Sequence, residues 1–160
     1  MNTGTDKNHF TMRKLIILFI LILSACFEQK EDFYFQGLFV EFNEVSLAPS
    51  PATFFIPMDD GAGTISVQVN LVGAHQDADQ SIAFSVAPES TAQPEKHYHL
   101  AGGAFTIPAA SSFGYIELTI LDGDIPAGES VELSLILEGN DHIRPSENYK
   151  EQRYVIYGGR

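Results

Sequence analysis

The chain contains a single cysteine, Cys26, among 160 residues, so no disulfide can form within it and no cysteine-based zinc site can be built. It has no tryptophan. Basic residues are few, 9 Lys and Arg against 21 Asp and Glu, for a net charge of −12. The acidic residues are spread along the chain rather than gathered in a tail. That balance excludes nucleic acid as a partner, because binding it needs a basic footprint. It also means that electrostatics alone would not hold the chain to an anionic membrane. Nor is there an apolar run long enough for a transmembrane helix, which needs about 20 residues. The longest, LIILFILIL at 15–23, has nine.

That short run has the build of a secretory signal. Arg13 and Lys14 precede it, the small residues Ser24 and Ala25 follow, and Cys26 comes next. Met12, just before the basic pair, is the expected true start. Leu23-Ser24-Ala25-Cys26 resembles a lipobox, the processing signal of bacterial lipoproteins. The resemblance implies cleavage after Ala25 and lipid on the Cys26 sulfur, with more than one acyl chain, as stable anchoring requires. Loss of residues 1–25 removes three basic residues and one acidic one, which takes the net charge from −12 to −14. The tether 26–35 carries Gln29-Lys30-Glu31-Asp32, which resembles the export tag that sends lipoproteins to the outer face of the outer membrane. Phe33-Tyr34-Phe35 then forms an apolar patch between tether and domain, a candidate contact surface for membrane or partner.

Residues 36–157 suffice for one core and no more. Twelve Phe and six Tyr, with many Val and Ile, favour strands. Alternation of apolar and polar residues predicts strands at 36–43, 64–71, 81–87, 104–108, 113–121, 131–138 and 152–157. An edge-like segment is expected at 52–58, where Pro57 is unsuited to a central strand. Turn signals separate them, among them Asp59-Asp60-Gly61, Asp122-Gly123-Asp124 and Pro126-Ala127-Gly128. About seven short strands and no extended helical pattern predict an all-β fold, a single immunoglobulin-like antiparallel β-sandwich.

From residue 97 onward the order of elements is more specific. His97-Tyr98-His99-Leu100, Gly103-Ala104-Phe105-Thr106-Ile107-Pro108-Ala109, a strand ending Leu121-Asp122-Gly123-Asp124, and then Gly128-Glu129 together resemble the Calx-beta fold. Ser112-Phe113-Gly114-Tyr115-Ile116 and Pro145-Ser146-Glu147-Asn148-Tyr149 resemble small surface lipoproteins encoded beside starch-utilisation-like (Sus-like) outer-membrane uptake genes. Membership among the latter implies an accessory subunit of an outer-membrane protein complex. The Calx-beta likeness implies calcium, which takes six to eight oxygens. Asp122, Asp124 and Glu129 match the acidic loop, but His97 stands where that family has an aspartate. No acidic cluster follows the last strand. An imidazole is a poor ligand for so hard a cation, so no metal or other cofactor is expected.

Catalytic patterns are missing too. Gly128-Glu129-Ser130 lacks the second glycine of a nucleophile elbow. There is no phosphate-binding glycine loop. His97, His99 and Glu95 make a weak zinc set. The expected function is non-catalytic, an interaction subunit held to the membrane by lipid. The alternatives are a module for a glycan or peptide ligand, with Tyr98, Phe113 and Tyr115 as further contact candidates, and a calcium-stabilised adhesive domain.

Overall fold

The computed structural model describes residues 37–159. The lipobox-like residues Leu23, Ser24, Ala25 and Cys26, the expected tag Gln29-Lys30-Glu31-Asp32 and the aromatic trio Phe33-Tyr34-Phe35 lie outside them. The described part is built from β1 (Phe39–Phe42), α1 (Asn43–Leu47), β2 (Ile56–Asp59), β3 (Gly63–Val72), β4 (Gln80–Val86), β5 (Tyr98–Leu100), β6 (Ala104–Ile107), β7 (Phe113–Ile120), β8 (Ser130–Gly139), β9 (Arg144–Pro145) and β10 (Glu151–Tyr157). They make two five-stranded sheets. Sheet A runs β5-β7-β3-β1-β9 and sheet B runs β2-β10-β8-β4-β6.

Period-two burial explains the stacking. On β3, Val67, Val69 and Leu71 point inward, and on β7 Ile116, Leu118 and Ile120 do the same. Sheet B answers with Ile82 and Phe84 from β4, Leu133, Leu135 and Leu137 from β8, and Tyr154 and Ile156 from β10. These side chains form one apolar layer between the sheets, the arrangement of an immunoglobulin-like sandwich.

Several local features depart from the pattern read in the sequence. The first strand stops at Phe42, and the chain turns at once into α1. Residues 52–58 are not one strand: Pro51–Thr53 form a single 3-10 turn, and only Ile56–Asp59 is extended. As Pro57 implies, β2 is an edge strand. Two pairings are parallel rather than antiparallel, β1 with β9 and β2 with β10. The strands β5 and β9, three and two residues long, add to the seven-strand pattern. Among the described residues, no helix is long and apolar enough to cross a membrane.

The passage from β1 to β2 carries the chain from sheet A to sheet B, and it leaves a gap. β1 pairs with β3 only over Val69–Val72, from Phe42↔Val69 to Phe39↔Val72. The first half of β3 is paired with β7 on one side. On its other side, among the described residues, no strand follows it.

Candidate functional site

The gap in sheet A faces the free edge of β2, and between them lies a cleft of about 530 Å³. Phe54 and Phe55 come from the segment crossing between sheets, Ser66 and Gln68 from β3, Tyr115 from β7, and Gln152 and Tyr154 from β10. The backbone direction of β3 follows from one bond. Leu71 donates its N–H to the Ser112 carbonyl at 2.7 Å, on the β7 side. Alternate residues of a strand point their amides to opposite sides, so Thr64, Ser66 and Gln68 direct theirs into the gap.

The polar centre of the cleft is an oddity in an apolar layer. Gln152 and Tyr154 alternate with Ile156 on the inner face of β10, and each of the two polar residues is only 1% exposed. The Gln152 side-chain amide donates to the Tyr154 hydroxyl through Nε2. Its Oε1 is buried without a partner. The two ends of an amide can exchange places, but that changes nothing here. One end meets Tyr154 and the other meets none. A buried unsatisfied group of this kind costs about 1–3 kcal/mol, and a ligand hydroxyl would remove that cost only by displacing the side chains that now cover Oε1. Burial pushes the Tyr154 pKa up, and the nearby Glu44 carboxylate pushes it further in the same direction, against the Gln152 bond. The hydroxyl therefore stays protonated at any physiological pH.

A second depression of about 570 Å³ lies beside it, lined by Pro51, Phe54, Glu147, Lys150 and Arg153. Its two cationic groups already have partners. Lys150 meets Glu147 at 2.8 Å, and Arg153 sits 5.8 Å from the centre of the Phe55 ring. Nothing there is both polar, buried and unsatisfied.

The acidic loop at 122–129 was the sequence-level candidate for calcium, and its wiring points elsewhere. Asp60, in the turn after β2, accepts the Gly123 N–H with Oδ1 at 2.9 Å and the Ile125 N–H with Oδ2 at 3.0 Å. Both carboxylate oxygens are thus engaged by backbone. The side chains of Asp122, Asp124 and Glu129 are exposed. Among the described residues, no three His, Cys, Asp or Glu groups come together as a metal site. The loop is held by the Asp60 carboxylate. Replacing Asp60 with Ala should lower unfolding free energy by about 2–4 kcal/mol, since two charge-assisted hydrogen bonds go and two N–H groups lose their acceptor. Urea denaturation checks this, and millimolar calcium should not restore the loss.

His97 packs against the same loop. A Cβ added at Gly123 would lie 2.4 Å from His97 Cδ2, so only glycine lets the loop close over the ring. His97 is buried, and its Nδ1 accepts the Gln93 N–H at 2.8 Å. Burial lowers its pKa below 6.5, the Lys96 charge lowers it further, and Asp60 partly opposes both. The unfolded chain therefore takes up this proton at a higher pH than the folded one. Stability should fall as pH drops below about 6.5 and level off below the folded pKa. Denaturation at pH 7.5 and 5.5 measures the slope, and His97→Asn, which keeps an acceptor but does not titrate, should flatten it.

The remaining sequence candidates divide. Tyr98 is a core residue rather than a contact surface. His97 and His99 do not share a face: His97 is buried, while His99 is exposed and meets Glu95 at 2.7 Å. Phe113 and Tyr115 stand exposed on the outer face of sheet A, as a contact role requires. Gln152, Tyr154, Glu44, Phe54 and Asp60 were missed as site residues. A signal existed for one of them: Gln152 occupies an inward position of an alternating strand, where a polar residue is out of place unless it has a task.

Comparison with known proteins places this geometry in context. No curated protein matches the chain. The apo form of the Calx CBD1 domain superposes with a TM-score of 0.58 at 12% identity, over 78% of this chain and 100% of that one. A "putative carbohydrate binding protein" from Bacteroides ovatus superposes with a TM-score of 0.53 at 11% identity, over 74% of this chain. A protein of unknown function from the same organism gives 0.53 at 14% identity, over 75% of this chain. The chain spans 36% and 44% of the lengths of these two larger structures. At such identities the likeness is one of fold, an immunoglobulin-like sandwich of the Calx-beta kind. The chain belongs to the family of the domain of unknown function DUF4843, whose family model matches residues 28–157.

Proposed function

We propose that this chain is a lipid-anchored, non-catalytic module of the outer cell surface that binds a neutral carbohydrate in the cleft over Gln152. The observation that carries this is the unpartnered, buried amide end of Gln152 beneath the aromatic walls Phe54, Phe55 and Tyr115. A sugar has the matching chemistry, with hydroxyls that donate to an amide oxygen and C–H faces that lie on aromatic rings. A charge of −14 on the processed chain disfavours acidic glycans. The Bacteroides ovatus structure described as carbohydrate binding lends support through shared fold. The lipobox at Cys26 and the tag at 29–32 support attachment at the cell surface.

A glycan array probed with the detergent-solubilised full chain, followed by calorimetry on the hits, tests the reading. Neutral glycans should bind, and Tyr115→Ala should weaken them about tenfold or more, as expected for a central aromatic contact. Binding only to acidic glycans, or none at all, would refute it.

A second reading rests on the open side of β3. Unpaired strand amides accept an added strand from another protein, which would suit an accessory subunit of an outer-membrane protein complex. Mild-detergent purification from native membranes separates the two. A stoichiometric partner lost on a Ser66→Pro or Gln68→Pro change favours strand addition; a chain recovered alone that still binds glycan favours the first.

A further inference from the structure

We propose that the carbohydrate is a chain of several units, which leaves the cleft and lies along the outer face of sheet A as far as Phe113. This rests on the carbohydrate reading of the cleft and adds to it a second contact and a minimum length.

Tyr115 and Phe113 are two residues apart on β7, about 7 Å along the strand, and both point outward. They are 46% and 42% exposed. Gly114 between them faces inward, where a Cβ would lie 2.5 Å from the Thr106 carbonyl, so β7 is pressed close onto β6 at this point. The two rings are therefore carried on a firmly seated piece of sheet. Their centroids are 5.8 Å apart, at an interplanar angle of 70°.

Each ring has an amide beside it. In the β3–β7 register Tyr115 stands opposite Gln68, and Phe113 opposite Asn70. Gln68 Nε2 donates to Asn70 Oδ1 at 2.9 Å, and Asn70 Nδ2 donates to Asn43 Oδ1 at 3.2 Å. This row orients the amides and leaves acceptor and donor capacity over on Gln68. A row of rings flanked by oriented amides suits a sugar chain, whose faces are apolar and whose rims carry hydroxyls. It suits an apolar protein surface badly, because the amides would be buried without partners. Tyr115 belongs both to the cleft and to this row, so the two contacts are continuous. Because the rings are turned relative to each other, consecutive units that meet them must turn as well. A single soluble chain can do so; a flat crystalline ribbon cannot.

The test is calorimetric titration of the detergent-solubilised full chain with malto-, cello-, xylo- and manno-oligosaccharides of two to six units. In any series that binds, affinity should rise about tenfold or more between the shortest and longest members. Phe113→Ala should abolish that rise and leave the shortest ligand within about twofold, whereas Tyr115→Ala should weaken both. Phe113 is exposed, so the variant should melt as the unaltered chain does, and a melt confirms it. Binding independent of length, or a Phe113→Ala effect equal on short and long ligands, would overturn the extended site while leaving the cleft reading intact. Absence of binding in all four series would overturn both.

Discussion

The double variant Gln152→Leu/Tyr154→Phe should fold as stably as the unaltered chain, or slightly more so, and lose about tenfold to a hundredfold in carbohydrate affinity. The reason lies in the asymmetry of buried hydrogen bonds. Gln152 spends one end of its amide on Tyr154 and leaves the other unsatisfied. Changing Gln152 alone would strand the Tyr154 hydroxyl in the apolar layer at a cost of about 1–3 kcal/mol. Changing both replaces a half-satisfied polar pair by apolar groups of similar volume, which is near neutral or stabilising. A pair that proved dispensable for folding, yet sits at the base of the cleft, would fit the proposed ligand role. Urea denaturation and calorimetry on the same preparation give the two numbers. A double variant that binds as before, or that loses more than about 3 kcal/mol of stability, would show the pair to be structural.

The second large effect concerns Cys26. Exchanging it for Ala should abolish lipid labelling and leave the leader uncleaved, because thiol acylation precedes cleavage in lipoprotein processing. If residues 1–25 are also replaced by an ordinary cleavable secretory leader, the chain should move from the membrane pellet to the soluble fraction. The expected change is close to complete. Each buried CH₂ contributes about 0.8 kcal/mol, so two or three acyl chains hold far more tightly than any contact an exposed, acidic sandwich could supply. Radiolabelled palmitate and fractionation check both parts. Persistent labelling of the alanine variant would remove the anchor from the account.

Much of the fold could be read from alternation alone. The expected strand 64–71 is β3, Gly63–Val72, and the expected 131–138 is β8, Ser130–Gly139. Long central strands announce themselves because each inward position must be apolar. Short ones do not. Tyr98–Leu100 and Arg144–Pro145 contain too few residues to show a period, and α1, at five residues, is too brief for a helical one. The site was legible only in part. Phe113 and Tyr115 were visible as aromatics on an alternating strand. The cleft was not, because it arises from β1 stopping at Phe42 and the chain crossing to the other sheet, a tertiary event with no local signature. The acidic turn at 122–124 raised calcium only through the Calx-beta resemblance. Its actual partner, Asp60, lies more than sixty residues earlier in the chain, beyond the reach of any local pattern.

Nuclear magnetic resonance of the ¹⁵N-labelled, detergent-solubilised chain, titrated with the tightest-binding oligosaccharide, tests the central claim most directly. The Gln152 side-chain amide should shift with saturable dependence on ligand, together with the backbone amides of Ser66, Gln68 and Tyr115. Gly123, Asp124 and Glu129, at the carboxylate-held loop, should stay where they are. Saturable binding with a silent Gln152, or with shifts confined to residues 122–129, would contradict the account.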